Sequence, residues 1–422
     1  MSALWGCDPA SPPERPFTPI GRPADAAVAQ PVITEIAASS RLQLKFVPVR
    51  HDAGVTRLTD IAFLPENGEL LVTDKSGQVV HLRLEKGRMK TLGQFVVPGV
   101  YNVLDAGLVS LAIDPDFTFN RFFYLGLSFD VESSVIRRYT LHAGDPEATL
   151  ASAVDIMELR GEGALYPWHN VGSLGFTEDG AMWALSGDKV LGAPAQDITS
   201  PLGALLRFFP GHGPEGGWSP HPENPYAHGD GHPAVYAVGM RSPWKGAYHE
   251  GIWFFGDVGQ SRYEELNRVT YPGQNFGWPD AEGPCRRNCA GFTDPLSWYT
   301  RGAKEAFVKA DRRASSTRQR SVYVGLVYPE ADAEGPPDRY DGLWHDVIVY
   351  GDAFTGFVRG RAAHGPPGRG ADRDWAVGHV PMATGWAVGP DGYVYVSALG
   401  SWPEPARLKR ARIYRAELKS AK

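Results

Sequence analysis

The chain has 422 residues and a formal net charge of −6, so it lacks the basic excess that would suit a nucleic-acid partner. It contains no run of about 18 apolar residues, which excludes a membrane-spanning helix. A hydrophobic fraction of 43% with 49 Gly, 35 Pro and 12 Trp fits a turn-rich all-β protein, and a length above that of most single domains is reconciled with one domain if the chain is built of repeats.

Residues 1 to 40 are rich in Pro, Ala and Ser and carry no alternating pattern, as expected of a linker. Within them Ala3-Leu4-Trp5-Gly6-Cys7 looks like the end of a bacterial lipoprotein signal, with Cys7 as the acylated residue. The charged and apolar regions of such a signal are missing, so an ordinary leader is the alternative. The lipoprotein reading implies a periplasmic or cell-envelope location; the leader reading leaves the cytoplasm open.

Residues 41 to 422 are expected to form one domain. Six times an apolar strand runs through a Gly- or Asp-containing turn into a second apolar strand, at 61–74, 111–128, 174–188, 240–259, 325–352 and 386–398. A hairpin of this kind cannot bury both faces alone, and radial stacking of copies buries them all. The predicted fold is therefore an all-β, six-bladed β-propeller of four-stranded antiparallel blades. Two further strand-like segments, 42–49 and 411–418, have no hairpin partner nearby and are expected to share the closing blade, which would remove an exposed edge.

Cys285 and Cys289 are spaced to close a small disulfide loop in an oxidising compartment; free thiols are the next reading, and a zinc site lacks further ligands. The basic run RGAKEAFVKADRRASSTRQR (301–320) reads most simply as a solvated insertion, with anion binding as the alternative.

From about residue 58 onward, DAGLVSLAIDPDFTFNRFFYLGLS, WHNVGSLGFTEDGAMWALSGD, AQDITSPLGALLRF and GMRSPWKGAYHEGIWFFGDVGQSRYEELNRVTYPGQNFGWP resemble, in order, the signatures of the glucose/sorbosone dehydrogenase family. That resemblance implies a six-bladed propeller. In the family's enzymes it also implies pyrroloquinoline quinone (PQQ) held by Ca²⁺ at one end of the channel, oxidising a small sugar or alcohol and passing electrons to an acceptor that the sequence does not name.

Carried onto this chain, the resemblance makes His169 the catalytic base, the side chain whose pKa suits removal of a hydroxyl proton near neutrality. Asp188 is expected to orient that imidazole. Arg241 aligns with the cofactor-binding Arg, the carbonyls of Gly259 and Gln260 with the ligands of the cofactor calcium, and Glu265 with a structural calcium ligand. Asp105 takes the place of a substrate-binding residue at the channel mouth. Asp74, Asp257 and Asp352, each after the outgoing strand of its hairpin, are read as turn caps, and Trp168, Trp244, Trp278 and Trp344 as packing residues or as surfaces for a flat ligand.

The chain departs from the glucose-oxidising enzymes in its last two blades, where VYPEADAEGPP and VPMATGWAVGPDG offer no evident cation for the cofactor, and in Ser242, where the family usually has Asn. Three functions remain open at this stage: a calcium- and quinone-dependent sugar or alcohol dehydrogenase, a non-catalytic propeller that binds a protein or glycan, and a calcium-dependent lactonase-type hydrolase.

Overall fold

In the strand Val394-Tyr395-Val396 the two valines pack into one hydrophobic cluster and the tyrosine into another, on the opposite face of the sheet. Met182 and Ala184 likewise face one cluster while Trp183 and Leu185 face the next. Side chains alternate along a strand with period two, so a strand with two apolar faces must lie between two other layers. The continuous apolar runs in the sequence thus report sheets covered on both sides.

The computed structural model describes residues 42–302, 319–329, 335–400 and 411–419. The 1–40 linker, Cys7 and most of the basic run lie outside them. The first strand, β1 (Leu44–His51), is followed by β2–β5 (Leu58–Phe63, Glu69–Asp74, Gln78–Glu85, Arg88–Val96), which pair in sequence order into an antiparallel sheet. The second sheet is β6–β9 (Leu108–Ile113, Phe122–Leu127, Ser133–Thr140, Val154–Arg160). The third is β10–β14 (Val171–Phe176, Met182–Ser186, Ala204–Pro210, Trp218–Pro220, Val235–Val238), with β13 and β14 both on β12.

The fourth sheet is β15–β18 (Pro243–His249, Ile252–Asp257, Tyr263–Val269, Ser297–Thr300). The fifth is built from β19–β21 (Val322–Val327, Val347–Asp352, Phe357–Ala362) and β23 (Trp375–His379), while the short β22 (Gly368–Arg369) pairs with β18. In the last sheet β24 (Ala383–Val388), β25 (Val394–Ala398) and β26 (Arg412–Leu418) are completed by β1, which runs antiparallel to β26 with Leu44 opposite Leu418 and Val49 opposite Ile413. The two end segments therefore share a sheet. A brief parallel contact, Arg50 opposite Arg88, joins this sheet to the first.

The hydrophobic clusters fill the spaces between neighbouring sheets. Leu71 and Val79 meet Leu111 and Phe123; Ile136 and Tyr124 meet Met182 and Ala184; Trp183 and Leu185 meet Trp253 and Phe255. Phe254 and Leu266 meet Val322 and Ile348, Tyr323 and Val349 meet Val394 and Val396, and Tyr395 and Ile413 return to Leu70 and Val72 of the first sheet. The first strands follow the same cycle, β2 against β6, β6 against β10, β10 against β15, β15 against β19, β19 against β24 and β24 against β2. Among the described residues no helix is long and apolar enough to cross a membrane.

Across the middle of this cycle Lys245 Nζ (β15) bonds Asp60 Oδ2 (β2) at 2.9 Å and the Val109 carbonyl (β6) at 3.0 Å. Asp60 also accepts from the backbone N–H groups of Ile61 and Leu111. Burial raises the Asp60 pKa even against the pull of Lys245, the mark of a carboxylate whose desolvation outweighs its pairing. Lys245→Met alone is expected to destabilise the fold by about 3–5 kcal/mol, because it strands a buried charge, and Asp60→Leu/Lys245→Met should recover most of that loss. Urea unfolding of the three proteins checks this; equal losses in the single and double variants would count against it.

Candidate functional site

Four sheets end their second strand in the same way. The sequences TDK (73–75), GDK (187–189), GDV (256–258) and GDA (351–353) each place an Asp beside the residues that lead into the first strand of the same sheet. Asp74 accepts the N–H groups of Thr56 and Arg57 at 2.8 and 2.7 Å, Asp257 those of Arg241 and Ser242 at 2.9 and 2.6 Å, and Asp352 that of Ser321 at 3.1 Å. The residue after each Asp then donates to a lead-in carbonyl: Lys75 to Arg57, Val258 to Ser242, Ala353 to Ser321 and Lys189 to His169. By this rule His169 occupies the lead-in position of the third sheet.

In that sheet the Asp takes a different partner. Asp188 Oδ1 lies 2.5 Å from His169 Nδ1 and accepts the Val190 N–H at 2.8 Å, and Oδ2 accepts the Trp278 indole N–H at 2.7 Å. Burial pushes the Asp188 pKa up, but the hydrogen bond and charge of His169, the indole and the Val190 N–H more than reverse this, so the net shift is downward. An ionised Asp188 fixes the proton on His169 Nδ1 and leaves Nε2 as the basic nitrogen. His169, Lys189 and Val190 all have φ near +55 to +65°, a left-handed backbone that non-glycine residues adopt at a cost of about 1–3 kcal/mol each. Such strain clusters where a side chain has been aimed for a purpose.

His169 lines a cavity of about 190 Å³ at one end of the cycle of first strands. Its wall takes Thr59, Val109, Val171, Ser242, Ser321 and Thr384, one from the first strand or lead-in of each sheet. Asp105 stands at its mouth, open to solvent yet enclosed by enough protein that burial raises its pKa against the pull of His169, Lys75 and Arg241. Trp244 also lines the cavity and donates its indole N–H to the Val322 carbonyl at 2.5 Å.

Arg241 lies one layer out, behind Val258. Its Nη1 donates to the carbonyls of Val258 at 2.7 Å and Gly259 at 3.1 Å, and its guanidinium sits 5.3 Å from the centre of the Trp278 ring. Arg241, Asp188 and His169 are thus linked through Trp278, which the sequence offered as a packing residue or a surface for a flat ligand. Glu265, aligned by the resemblance with a structural calcium ligand, is only 8% exposed and pairs across the strands with Asp257. Both carboxyls are pushed upward, by burial first and then by neighbouring carboxylates, while the Gly283 N–H and Asn267 amide hold Glu265 in place. Gln260 is exposed.

Two cations at the cavity were not foreseen. Lys75 is 3% exposed, donates Nζ to the Asn102 carbonyl at 2.6 Å and also to that of Ala106, and has its pKa lowered to about 7, by burial first and then by Arg57. Arg320, at the end of the supposedly solvated basic run, is 2% exposed and lines the cavity. The solvated reading therefore fails for that end. The signal available in the sequence was its place directly before β19, the same lead-in position that brings His169 and Ser242 to the cavity wall in the third and fourth sheets. Trp344 is a core residue packed on Tyr328 and Tyr340, whereas Trp168 is 37% exposed and stacks on Tyr166 at 5.1 Å. Cys285 and Cys289 form a disulfide.

Comparison with known proteins gives this site its context. The model of the glucose/sorbosone dehydrogenase family matches residues 56–303, and the chain belongs to that family. It is 26% identical over 241 residues to the aldose sugar dehydrogenase YliI of Escherichia coli K12, covering 56% of this chain and 62% of that protein. It is 27% identical over 255 residues to quinoprotein glucose dehydrogenase B of Acinetobacter calcoaceticus, covering 52% and 49% respectively. The chain thus spans about half to six tenths of the length of these curated relatives. Among solved structures, the PQQ-bound aldose sugar dehydrogenase of Streptomyces coelicolor superposes with a TM-score of 0.67 at 22% identity, over 89% of this chain and 98% of the other. The apo-form of the soluble aldose sugar dehydrogenase of E. coli gives 0.66 at 18% identity, over 89% and 100%. These structures share the fold.

The close fit at Gly187 supplies a test of the geometry. A Cβ there would meet the His169 carbonyl oxygen at 2.4 Å, closer than any real contact, so Gly187→Ala must move the His169 backbone. The variant is expected to stay folded but to break the Nδ1–Asp188 bond. In imidazole NMR the downfield Nδ1 proton of His169 should disappear, and its persistence would show that the loop is not held by this contact.

Proposed function

We propose that the protein is a quinone-dependent dehydrogenase of small sugars or alcohols, with the cavity at His169 as its active site. The fold is read as a six-bladed β-propeller, in which the cycle of first strands surrounds the channel. The observation that carries the proposal is the His169–Asp188 pair at the cavity wall. It is a general base with its orienting carboxylate in place, backed by the guanidinium of Arg241 through a shared tryptophan.

PQQ, when bound, supplies the two-electron acceptor for the hydrogen and electron pair that leave the substrate carbon. The cations Lys75 and Arg320 at the cavity, with Arg241 behind it, suit a ligand carrying several carboxylates. The chain's own part is to hold and to accept. His169 Nε2 takes the hydroxyl proton, Asp188 steadies the imidazolium that results, and Asp105 at the mouth is placed to bind sugar hydroxyls. Burial of the base–carboxylate pair keeps water from competing for either group.

Calcium divides into two cases. Glu265 with Asp257 offers buried negative charge with a raised affinity for protons, which suits a structural Ca²⁺ held by Glu265. The carbonyl of Gly259 does not suit a cofactor calcium, because guanidinium N–H groups already bond it. The disulfide supports an oxidising compartment, hence a periplasmic or cell-envelope protein, with Cys7 as the proposed lipid anchor. A second reading, a propeller that binds a protein or glycan by its loop face, is favoured by the exposure of Leu165, Tyr166 and Trp168 (81%, 50% and 37%) beside His169.

Reconstitution with PQQ and Ca²⁺, followed by dye reduction on a panel of aldoses and alcohols, separates the two. His169→Ala is expected to keep cofactor uptake and to lose about two to four orders of magnitude in kcat. Asp188→Asn should lose activity in the same direction, since the amide cannot hold the Nδ1 proton. Cofactor-loaded protein that reduces no dye with any substrate leaves only the binding function. Release of acid from lactones without dye reduction would point instead to hydrolase activity.

A further inference from the structure

The Gly259 carbonyl, expected from the sequence to hold a cofactor calcium, is the meeting point of two arginines. Arg241 Nη1 donates to it at 3.1 Å and Arg301 Nη1 at 2.8 Å. A carbonyl oxygen has two lone pairs, and both are used. Calcium binds carbonyl oxygens at about 2.3–2.6 Å, so an ion here would occupy the space of both guanidinium nitrogens and would face two positive charges at contact range.

Both groups are held where they are. Arg301 also bonds the Glu264 carboxylate through the same Nη1, and Glu264, fully buried, accepts the Val322 N–H at 2.8 Å at the head of β19. Arg301 is further tied by its backbone N–H to the Arg262 carbonyl. Arg241 is fixed by Val258, Gly259 and the Trp278 ring. Arg320, next to the cavity-lining Ser321, completes an arc: Arg301 senses the positive charge of both Arg241 and Arg320. The arc runs from the fourth sheet to the lead-in of the fifth, along the cavity wall that includes Ser242, Val258 and Ser321.

We infer that in this protein the guanidinium groups of Arg241, Arg301 and Arg320 replace the calcium ion as the cationic anchor of an anionic quinone cofactor, so that cofactor binding needs no divalent metal at Gly259. The inference rests on the quinone-dependent reading above and refines it. It also accounts for the lack of an evident cofactor cation in the stretches VYPEADAEGPP and VPMATGWAVGPDG: the charge comes from Arg241 and the two ends of the 301–320 run instead. Each planar fork can bond a carboxylate or a quinone oxygen directly, where a calcium would do so by coordination.

The test is PQQ binding to the full-length protein by titration calorimetry and by the cofactor's absorbance, in EGTA and in excess Ca²⁺, with no substrate present. Wild-type protein is expected to bind PQQ with the same affinity in both buffers. Arg301→Gln leaves Glu264 buried and unpaired, so the double variant Arg301→Gln/Glu264→Gln, with its melting temperature recorded, is the informative one. Its PQQ affinity in EGTA should fall about tenfold or more through loss of a charge-assisted contact. Because one of the two guanidinium bonds to the Gly259 carbonyl is then gone, Ca²⁺ should restore part of that loss. Wild-type uptake that requires Ca²⁺ overturns this inference while leaving the dehydrogenase reading intact, as does a folded double variant that binds PQQ like wild type. Absence of uptake in both buffers overturns the inference together with the cofactor reading.

Discussion

The clasp between the end of each second strand and the lead-in of the first decides where chemistry can occur. Because the first strands pack on one another in a cycle, their lead-ins converge at one end of it, and in four of the six sheets an Asp stands beside the lead-in. In three sheets the carboxylate is spent on backbone N–H groups. In the third sheet the same carboxylate holds an imidazole, the arrangement that the proposed function reads as a base with its orienting group. The exchange is economical: the Asp is already buried and aimed, and only the partner differs. The left-handed φ of His169 is the cost, since a side chain rather than an N–H must now turn toward the Asp.

Electrostatics around this clasp are layered. Asp188 is pulled to low pKa by its donors, whereas Asp257 and Glu265, a short way along the next sheet, are pushed up because burial brings their charges together. Arg241 stands between the two groups, feeling both Asp188 and Asp257. Its Nη1 bonds the neutral carbonyls of Val258 and Gly259, so these contacts leave its charge uncompensated by a carboxylate. Across the cycle of first strands the Asp60–Lys245 pair ties the first sheet to the fourth and lines the cavity on the side away from His169.

Several parts of this arrangement were legible before any coordinates. The hairpins were, because period-two alternation with apolar residues on both faces is a local property of the chain. So were His169 and Asp188, because family motifs carry them at fixed spacing within one hairpin. Arg320 and Arg301 were not: a run of Lys and Arg reads as solvated unless the strand that follows is known to begin at the cavity. The hydrogen bond of Trp278 was not legible either, whether it was read as packing or as a surface for a flat ligand, since its link from Asp188 to Arg241 spans 90 residues in one direction and joins two sheets. The Gly259 carbonyl was placed by the resemblance, but whether a backbone oxygen faces an ion or an arginine depends on side chains far away in sequence.

By itself the sequence determined the all-β class, the number of hairpins, the pairing of its two end segments and the choice of His169 and Asp188 as partners, because each of these is written in short-range patterning or in contiguous motifs. Tertiary structure alone decided which cations reach the cavity, that Glu265 is buried against Asp257, and that guanidinium groups occupy the carbonyl expected to bind calcium. Those outcomes depend on the long-range packing of one sheet against the next, and a charge acquires its role only when that packing sets its distance from other charges and from water.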